Sequence, residues 1–139
     1  KRAYLYVIIN RRSPLTLERG RAWLIPRVLN HKTMQEGSRY LLGRHDFTSF
    51  RATECQANSP VKTLDRIEIS RQGDTVNIIV EARSFLHRQV RNIVGTLALV
   101  GEGKFQPNEV GVILRAKDRS VAGPCAPAEG LYLTSVAYG

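Results

Sequence analysis

Ser84-Phe85-Leu86-His87-Arg88-Gln89-Val90-Arg91-Asn92-Ile93-Val94-Gly95 is the stretch on which the reading of this chain turns. Ser84, placed just before an apolar run, predicts a helix N-cap. Leu86, Val90, Ile93, Val94 and Leu97 then recur at helical spacing and predict a buried stripe. On that helix His87 and Arg91 are four apart, and Arg88 and Arg91 three apart, so all three share one side. Two arginines in the first turns oppose the positive end of the helix dipole, at a cost of ~0.3–1 kcal/mol each when exposed. Either the face is simply solvated, or an anion lies against it.

Charge over the whole chain favours an anionic partner. The 139 residues hold 21 Lys and Arg against 12 Asp and Glu, a net charge of +9. That excess points to a polyanion, most simply nucleic acid, although anionic membrane surfaces attract basic proteins too. The length suits one domain with a sizeable core. No apolar run approaches the ~20 residues of a membrane span, the longest being Ile93 to Val100 with Gly95 and Thr96 inside it. Cys55 and Cys125 have no metal-like spacing and fit a reducing, cytoplasmic setting. No signal peptide is evident, and the chain enters a strand-like pattern at once, as a fragment would.

Outward from the opening stretch the elements alternate in type. On its N-terminal side Arg66 to Arg71 alternates, with Ile67 and Ile69 facing inward. Gln72-Gly73-Asp74 turns the chain, and Val76, Ile78, Val80 and Ala82 alternate again, which predicts a β-hairpin. Ala3 to Asn10 has a buried strand's composition, and Ala22 to Ile25 suggests a short second strand. Asn30 predicts an N-cap for a helix that takes apolar contacts from Met34, Tyr40, Leu41 and Leu42 before Gly43 stops it. Arg44 to Pro60 shows no period, and an irregular stretch of that length is more often functional or packed than idle. Downstream, Gly101-Glu102-Gly103 ends the central helix. Pro107 and Glu109 open a short helix running to about Ala116, and Leu131 to Tyr138 is a last strand. This order predicts an α+β domain, an antiparallel sheet of about four strands with helices on one face.

Chemistry is sparser. His45 and Asp46 are neighbours and so rarely face each other; a turn capped by Asp46 is the simpler reading. His31, His45 and His87 are scattered, which argues against a metal site. Gly101-Glu102-Gly103-Lys104 follows a helix and lacks the strand–loop–helix frame of a phosphate loop. Tyr4 and Tyr6 share a face, either as core or as a platform for a base, with Arg2, Arg11 and Arg12 beside them. Lys117-Asp118-Arg119 is open between a surface turn and a phosphate contact.

Six groups of residues, taken in order, resemble one known family. They are Tyr4-Leu5-Tyr6 closing on Asn10; Leu42-Gly43-Arg44-His45-Asp46-Phe47-Thr48-Ser49-Phe50-Arg51; and Ser59-Pro60. Then come Phe85-Leu86-His87 running into Val90-Arg91-Asn92-Ile93-Val94-Gly95; Lys117-Asp118-Arg119; and Ala126-Pro127-Ala128-Glu129-Gly130-Leu131-Tyr132-Leu133. Together they resemble the C-terminal half of the tRNA pseudouridine synthase A family, over essentially all of residues 1–139. The resemblance implies an enzyme, usually a homodimer, that converts uridine to pseudouridine on the 3′ side of the tRNA anticodon stem-loop, using no cofactor or metal. It implies that Tyr4 stacks on the uracil and contributes to the chemistry. Arg91 pairs with a catalytic aspartate, and Leu131 lines the uracil pocket. His87 and Arg88 are expected near RNA. The family's aspartate lies in a Gly-Arg-Thr-Asp motif in its N-terminal half, and nothing in this chain matches it. Asp46, Asp65, Asp74 and Asp118 fall in other contexts. This chain is therefore expected to supply one wall of a cleft and to be inactive alone. A non-catalytic RNA-binding module and a dimerisation half are the alternatives.

Overall fold

A computed structural model describes residues 1–52 and 59–136. Cys55 and Tyr138, which figured in the sequence reading, lie outside the described residues.

The β-rich first segment forms β1 (Arg2–Ile9), and the long hairpin forms β4 (Val61–Gln72) and β5 (Thr75–Ala82). With β2 (Trp23–Leu24), β3 (Gly43–Asp46) and β6 (Leu131–Val136) they make one sheet in the order β2-β1-β5-β4-β3, with β6 also on β1. All pairings are antiparallel except β1 with β2. The α+β class is as expected, but the sheet has six strands where about four were predicted. The short second strand expected within Ala22 to Ile25 is β2, whereas the polar tetrapeptide of β3 has no apolar alternation and does not announce a strand.

The hairpin's inward set is as read, with Ile67, Ile69, Val76, Ile78, Val80 and Ala82 all buried. β4 nonetheless starts five residues before Arg66. Leu64 is also buried, three residues from Ile67, and the register shifts between Leu64 and Arg66. A bulge at Asp65 restores the inward phase after one extra residue. That extra residue also breaks the alternation by which a sequence reading finds a strand.

Helices α1 (His31–Ser38), α2 (Gln89–Gly101) and α3 (Glu109–Ala116) complete the core. Asn30 caps α1 as expected, its Oδ1 accepting from the backbone N–H of Lys32 and Thr33 at 3.0 and 3.2 Å. A 3-10 turn over Arg39–Leu41 follows. Met34 and Leu41 enter the core, whereas Tyr40 and Leu42 stay largely exposed.

The central helix departs most from its predicted form. It begins at Gln89, not at Ser84, and Arg88 occupies the N-cap position with φ 61°. Ser84 caps nothing there, since its Oγ accepts from Lys62 Nζ at 3.0 Å. The 84–88 segment is instead a turn closed by Gln89, whose Oε1 accepts from Leu86 N–H at 2.8 Å while its own N–H donates to Leu86 O at 3.1 Å. Ala52 N–H also binds His87 O at 3.2 Å. Within α2, Val90, Ile93, Val94 and Leu97 are buried as predicted, yet so is every other residue except Arg91 and Leu99. The helix is the hub of the domain rather than a half-exposed amphipathic rod. Each large apolar side chain buried in this way contributes roughly 1.5–3 kcal/mol.

Segment 119–126 packs along α2. Arg119 holds it down, donating to Gly123 O at 2.7 Å and to Asn92 Oδ1 at 2.9 Å, and Gly123 N–H donates to Thr96 Oγ1 at 2.9 Å. Among the described residues no helix is long and apolar enough to cross a membrane.

Candidate active-site cleft

The turn at 84–88, the start of α2, the N-terminal half of β1 and the first residue of β6 converge on one cleft of about 430 Å³. Its lining includes Arg2, Tyr4, Phe85, His87, Arg88, Arg91 and Leu131. All five residues singled out by the sequence as site candidates, Tyr4, His87, Arg88, Arg91 and Leu131, are therefore neighbours in space.

Strand register accounts for the first wall. Tyr4 and Tyr6 share the inner face of β1, and Leu131 stands opposite Tyr6 in the β1–β6 ladder, so it shares that face. The two tyrosines then divide. Tyr6 is fully buried and its hydroxyl donates to Pro127 O at 2.6 Å. Burial pushes its pKa well above the usual phenol value; the nearby Arg91 charge opposes that, and Glu129 and Cys125 add to it. Tyr4 is only half-buried and meets Phe85 edge-on, ring centroids 5.3 Å apart at 80°. Core packing is thus the role of Tyr6, and Tyr4 is the ring left to line the cleft.

Arg91 supplies the opposite wall. Its Nε donates to Ala126 O at 2.7 Å, and Ala126 N–H returns a bond to Arg91 O at 3.0 Å. Among the described residues no carboxylate pairs with its guanidinium, which is half-buried and lines the cleft. Arg91 is braced by a main-chain carbonyl instead. His87 and Arg88 precede the helix, so they meet Arg91 through the turn rather than along one helical face. Arg88 holds a left-handed backbone, a conformation that costs a non-glycine residue roughly 1–3 kcal/mol and tends to occur at functional sites.

Among the lining residues that sequence reasoning did not single out are Phe85 and Gln89. Phe85 lay within the recognised stretch, but nothing in its spacing pairs it with Tyr4. Gln89 is fully buried, and its Nε2 has no hydrogen-bond partner among the described residues. Polar residues of this kind are usually exposed, so composition alone gives no signal for it.

The remaining candidates resolve as structure. Asp46 Oδ1 accepts from Thr48 N–H at 2.9 Å and from Thr48 Oγ1 at 2.6 Å, while His45 Nε2 lies 2.7 Å from Leu42 O, so they form no acid–base pair. Asp118 caps Ser120 in the same way, and Arg119 is the clamp described above rather than an open phosphate contact. Gly103, with φ +85°, stops α2 as read. Cys125 is a free thiol. Among the described residues no group of three or more His, Cys, Asp or Glu could hold a metal ion.

The sheet-borne cleft thus combines two aromatic rings, Tyr4 and Phe85, with the apolar Leu131 and several cations, and no carboxylate lines it. The chain belongs to the tRNA pseudouridine synthase family, whose model matches residues 38–139. A tRNA pseudouridine synthase A of Paramagnetospirillum magneticum is 58% identical over 137 residues, which cover 99% of this chain and 54% of that protein. Those of Xanthobacter autotrophicus and Rhizobium leguminosarum bv. trifolii are 55% and 52% identical over 138 residues, covering 56% and 52% of their own lengths. The chain thus spans about half the length of the curated relatives it matches.

Proposed function

We propose that residues 1–139 are the C-terminal half of the catalytic domain of a tRNA pseudouridine synthase. The cleft takes a uridine from the 3′ side of the anticodon stem-loop. The single observation that supports this most is the convergence of Tyr4, Arg91 and Leu131, three residues from three separate elements, on one cleft. In this reading Tyr4 stacks on the flipped uracil and contributes to the chemistry, and Leu131 packs against the base. The cost of extruding the nucleotide, a few kcal/mol, is met by that stacking and by phosphate contacts from His87 and Arg88. Arg91 pairs with the aspartate that breaks the glycosidic bond, after which the uracil turns and rejoins the ribose through its carbon five. The bracing of Arg91 on Ala126 O supports this role, because the guanidinium is positioned before its partner arrives. The aspartate comes from the other half of the protein, in a cytoplasmic, cofactor-free enzyme.

The test is a pseudouridine assay on tRNA. Residues 1–139 alone should show no turnover above background. The same residues joined to an N-terminal half bearing the aspartate should show turnover that Arg91→Ala abolishes. Turnover by the isolated chain, or full activity of the Arg91 variant, refutes the reading.

Homodimer formation is part of the same proposal. An apolar cleft on the outer sheet face, between Leu5, Val7, Ile9, Leu17 and Tyr132, supports a protein contact there, and Leu17 is 89% exposed. Light scattering of the chain with and without its other half separates self-association from contact between halves.

A further inference from the structure

Some of this chain's cations are matched by carboxylates. Arg66 is bracketed by Glu68 and Glu81, Arg11 is held by Glu18, and Arg27 by Glu102. Three others lie together. Arg44, Lys62 and Arg83 line a second cleft of about 310 Å³ together with Ser59, Thr63 and Ser84, and among the described residues no carboxylate lines it or pairs with any of the three.

The sheet assembles this cluster. Arg44 on β3 stands opposite Thr63 on β4. Arg83 follows Ala82, which stands opposite Leu64, so it leaves β5 alongside Thr63. Two guanidinium-bearing residues thus flank one threonine from the two neighbouring strands. Lys62 is tethered by its Nζ to Ser84 Oγ at 3.0 Å. Like charges gathered across strands destabilise a sheet, and a stability argument gives no reason to collect three of them without a counter-ion. Both guanidinium residues are exposed, and the hydroxyls of Ser59 and Thr63 add neutral donors at the rim. Planar, forked donors beside an ammonium group match the tetrahedral oxygens of a phosphate.

We infer that Arg44, Lys62 and Arg83 form a binding site for successive phosphodiesters of an RNA backbone, adjoining the uridine cleft across the Ser84–Phe85 peptide. The inference rests on the tRNA-binding reading above and names a part of the RNA footprint outside the uridine cleft. Ser84 lines this cleft and Phe85 the other, so an RNA strand that lays a base against Tyr4 passes its backbone over the three cations.

The test compares two triple variants of the chain for binding to an anticodon stem-loop RNA over a range of salt. In the first, Arg44, Lys62 and Arg83 are each changed to Gln. In the second, three exposed cations elsewhere, Arg19, Lys32 and Arg115, are changed likewise, so the net charge is the same. With ~0.7–0.9 of slope lost per phosphate contact, the first variant should lower the slope of log affinity against log salt by about 2. Its affinity should fall at least tenfold at low salt, and the second variant should keep a slope near wild type. Matching slopes and affinities for the two variants, while the wild-type chain binds RNA, overturn this site and leave the tRNA reading intact. Failure of the wild-type chain to bind RNA at all overturns both. Thermal melts report whether the triple variant is folded; if it is not, the three single substitutions replace it, each expected to remove ~0.7–0.9 of slope.

Discussion

Arg91 and Ala126 are bonded to each other twice, side chain to carbonyl at 2.7 Å and amide to carbonyl at 3.0 Å. The pair ties the first turn of the central helix to the segment that covers it. Arg91→Lys keeps the charge but not the Nε donor, which leaves Ala126 O short of a partner. Chemical denaturation should show a loss of about 1–2 kcal/mol. In the complete enzyme Lys should restore little of the activity lost with Ala, because direction as well as charge is missing.

Gly95 sits where α2 meets the covering segment. A Cβ there would lie 1.6 Å from Pro124 O, so the two backbones cannot keep their present distance. Gly95→Ala should cost about 3–5 kcal/mol, seen as a fall in Tm of about 10 °C or more. Displacing Pro124 should also draw Ala126 from Arg91, so RNA binding weakens beyond what the fold loss explains.

Tyr6→Phe removes the hydroxyl that serves Pro127 O and should cost about 1–3 kcal/mol. The pH dependence has a definite sign. Because the folded-state pKa of Tyr6 is raised by burial, its contribution is complete below the ordinary phenol value of about 10 and is lost as pH rises beyond it. Wild-type stability should fall more steeply above about pH 10 than that of the Phe variant.

Asp46 should act at the other end of the scale. Burial raises its pKa, but the hydroxyl and N–H of Thr48 outweigh burial and bring it below the usual value. Its contribution is therefore present above the unfolded carboxylate value of about 4 and is lost as pH falls through the lower folded one. Thr48→Val should raise the Asp46 pKa in an NMR titration and flatten the acid limb of the stability profile.

Tyr4→Ala should weaken stem-loop binding by about 1–3 kcal/mol, and Tyr4→Phe should keep most of the affinity, since stacking needs only the ring. In the complete enzyme Tyr4→Phe tests whether the hydroxyl contributes to the chemistry: if it does, kcat falls while affinity holds.

Legibility followed the physics of each element. The hairpin was readable because Val76, Ile78 and Val80 alternate without interruption, and α1 because Asn30 announces its start. The start of α2 was not, since Ser84 looks like a cap in sequence yet spends its hydroxyl on Lys62, twenty-two residues away. A long-range partner of that kind leaves no local trace. Strand β3 was hidden by its polarity and the start of β4 by the bulge at Asp65. Of the site, the membership of the cleft was legible through the family resemblance. Its assembly was not, because the tie between Arg91 and Ala126 and the edge contact of Phe85 on Tyr4 join residues far apart in sequence. The burial of Gln89 has no signature at all.

Strand β1 is paired along both edges. β5 runs beside it from Arg2 to Ile9, while β6 covers the other side from Arg2 to Tyr6 and β2 takes over at Ile8 and Ile9. Its amides should therefore be among the slowest to exchange with deuterium, released only when the domain unfolds as a unit. The turn at 84–88 has no ladder on either side and should exchange by local opening. The two walls of the cleft then keep different time: Tyr4 stands on a backbone as durable as the fold, and His87 and Arg88 on one that can re-form around whatever enters.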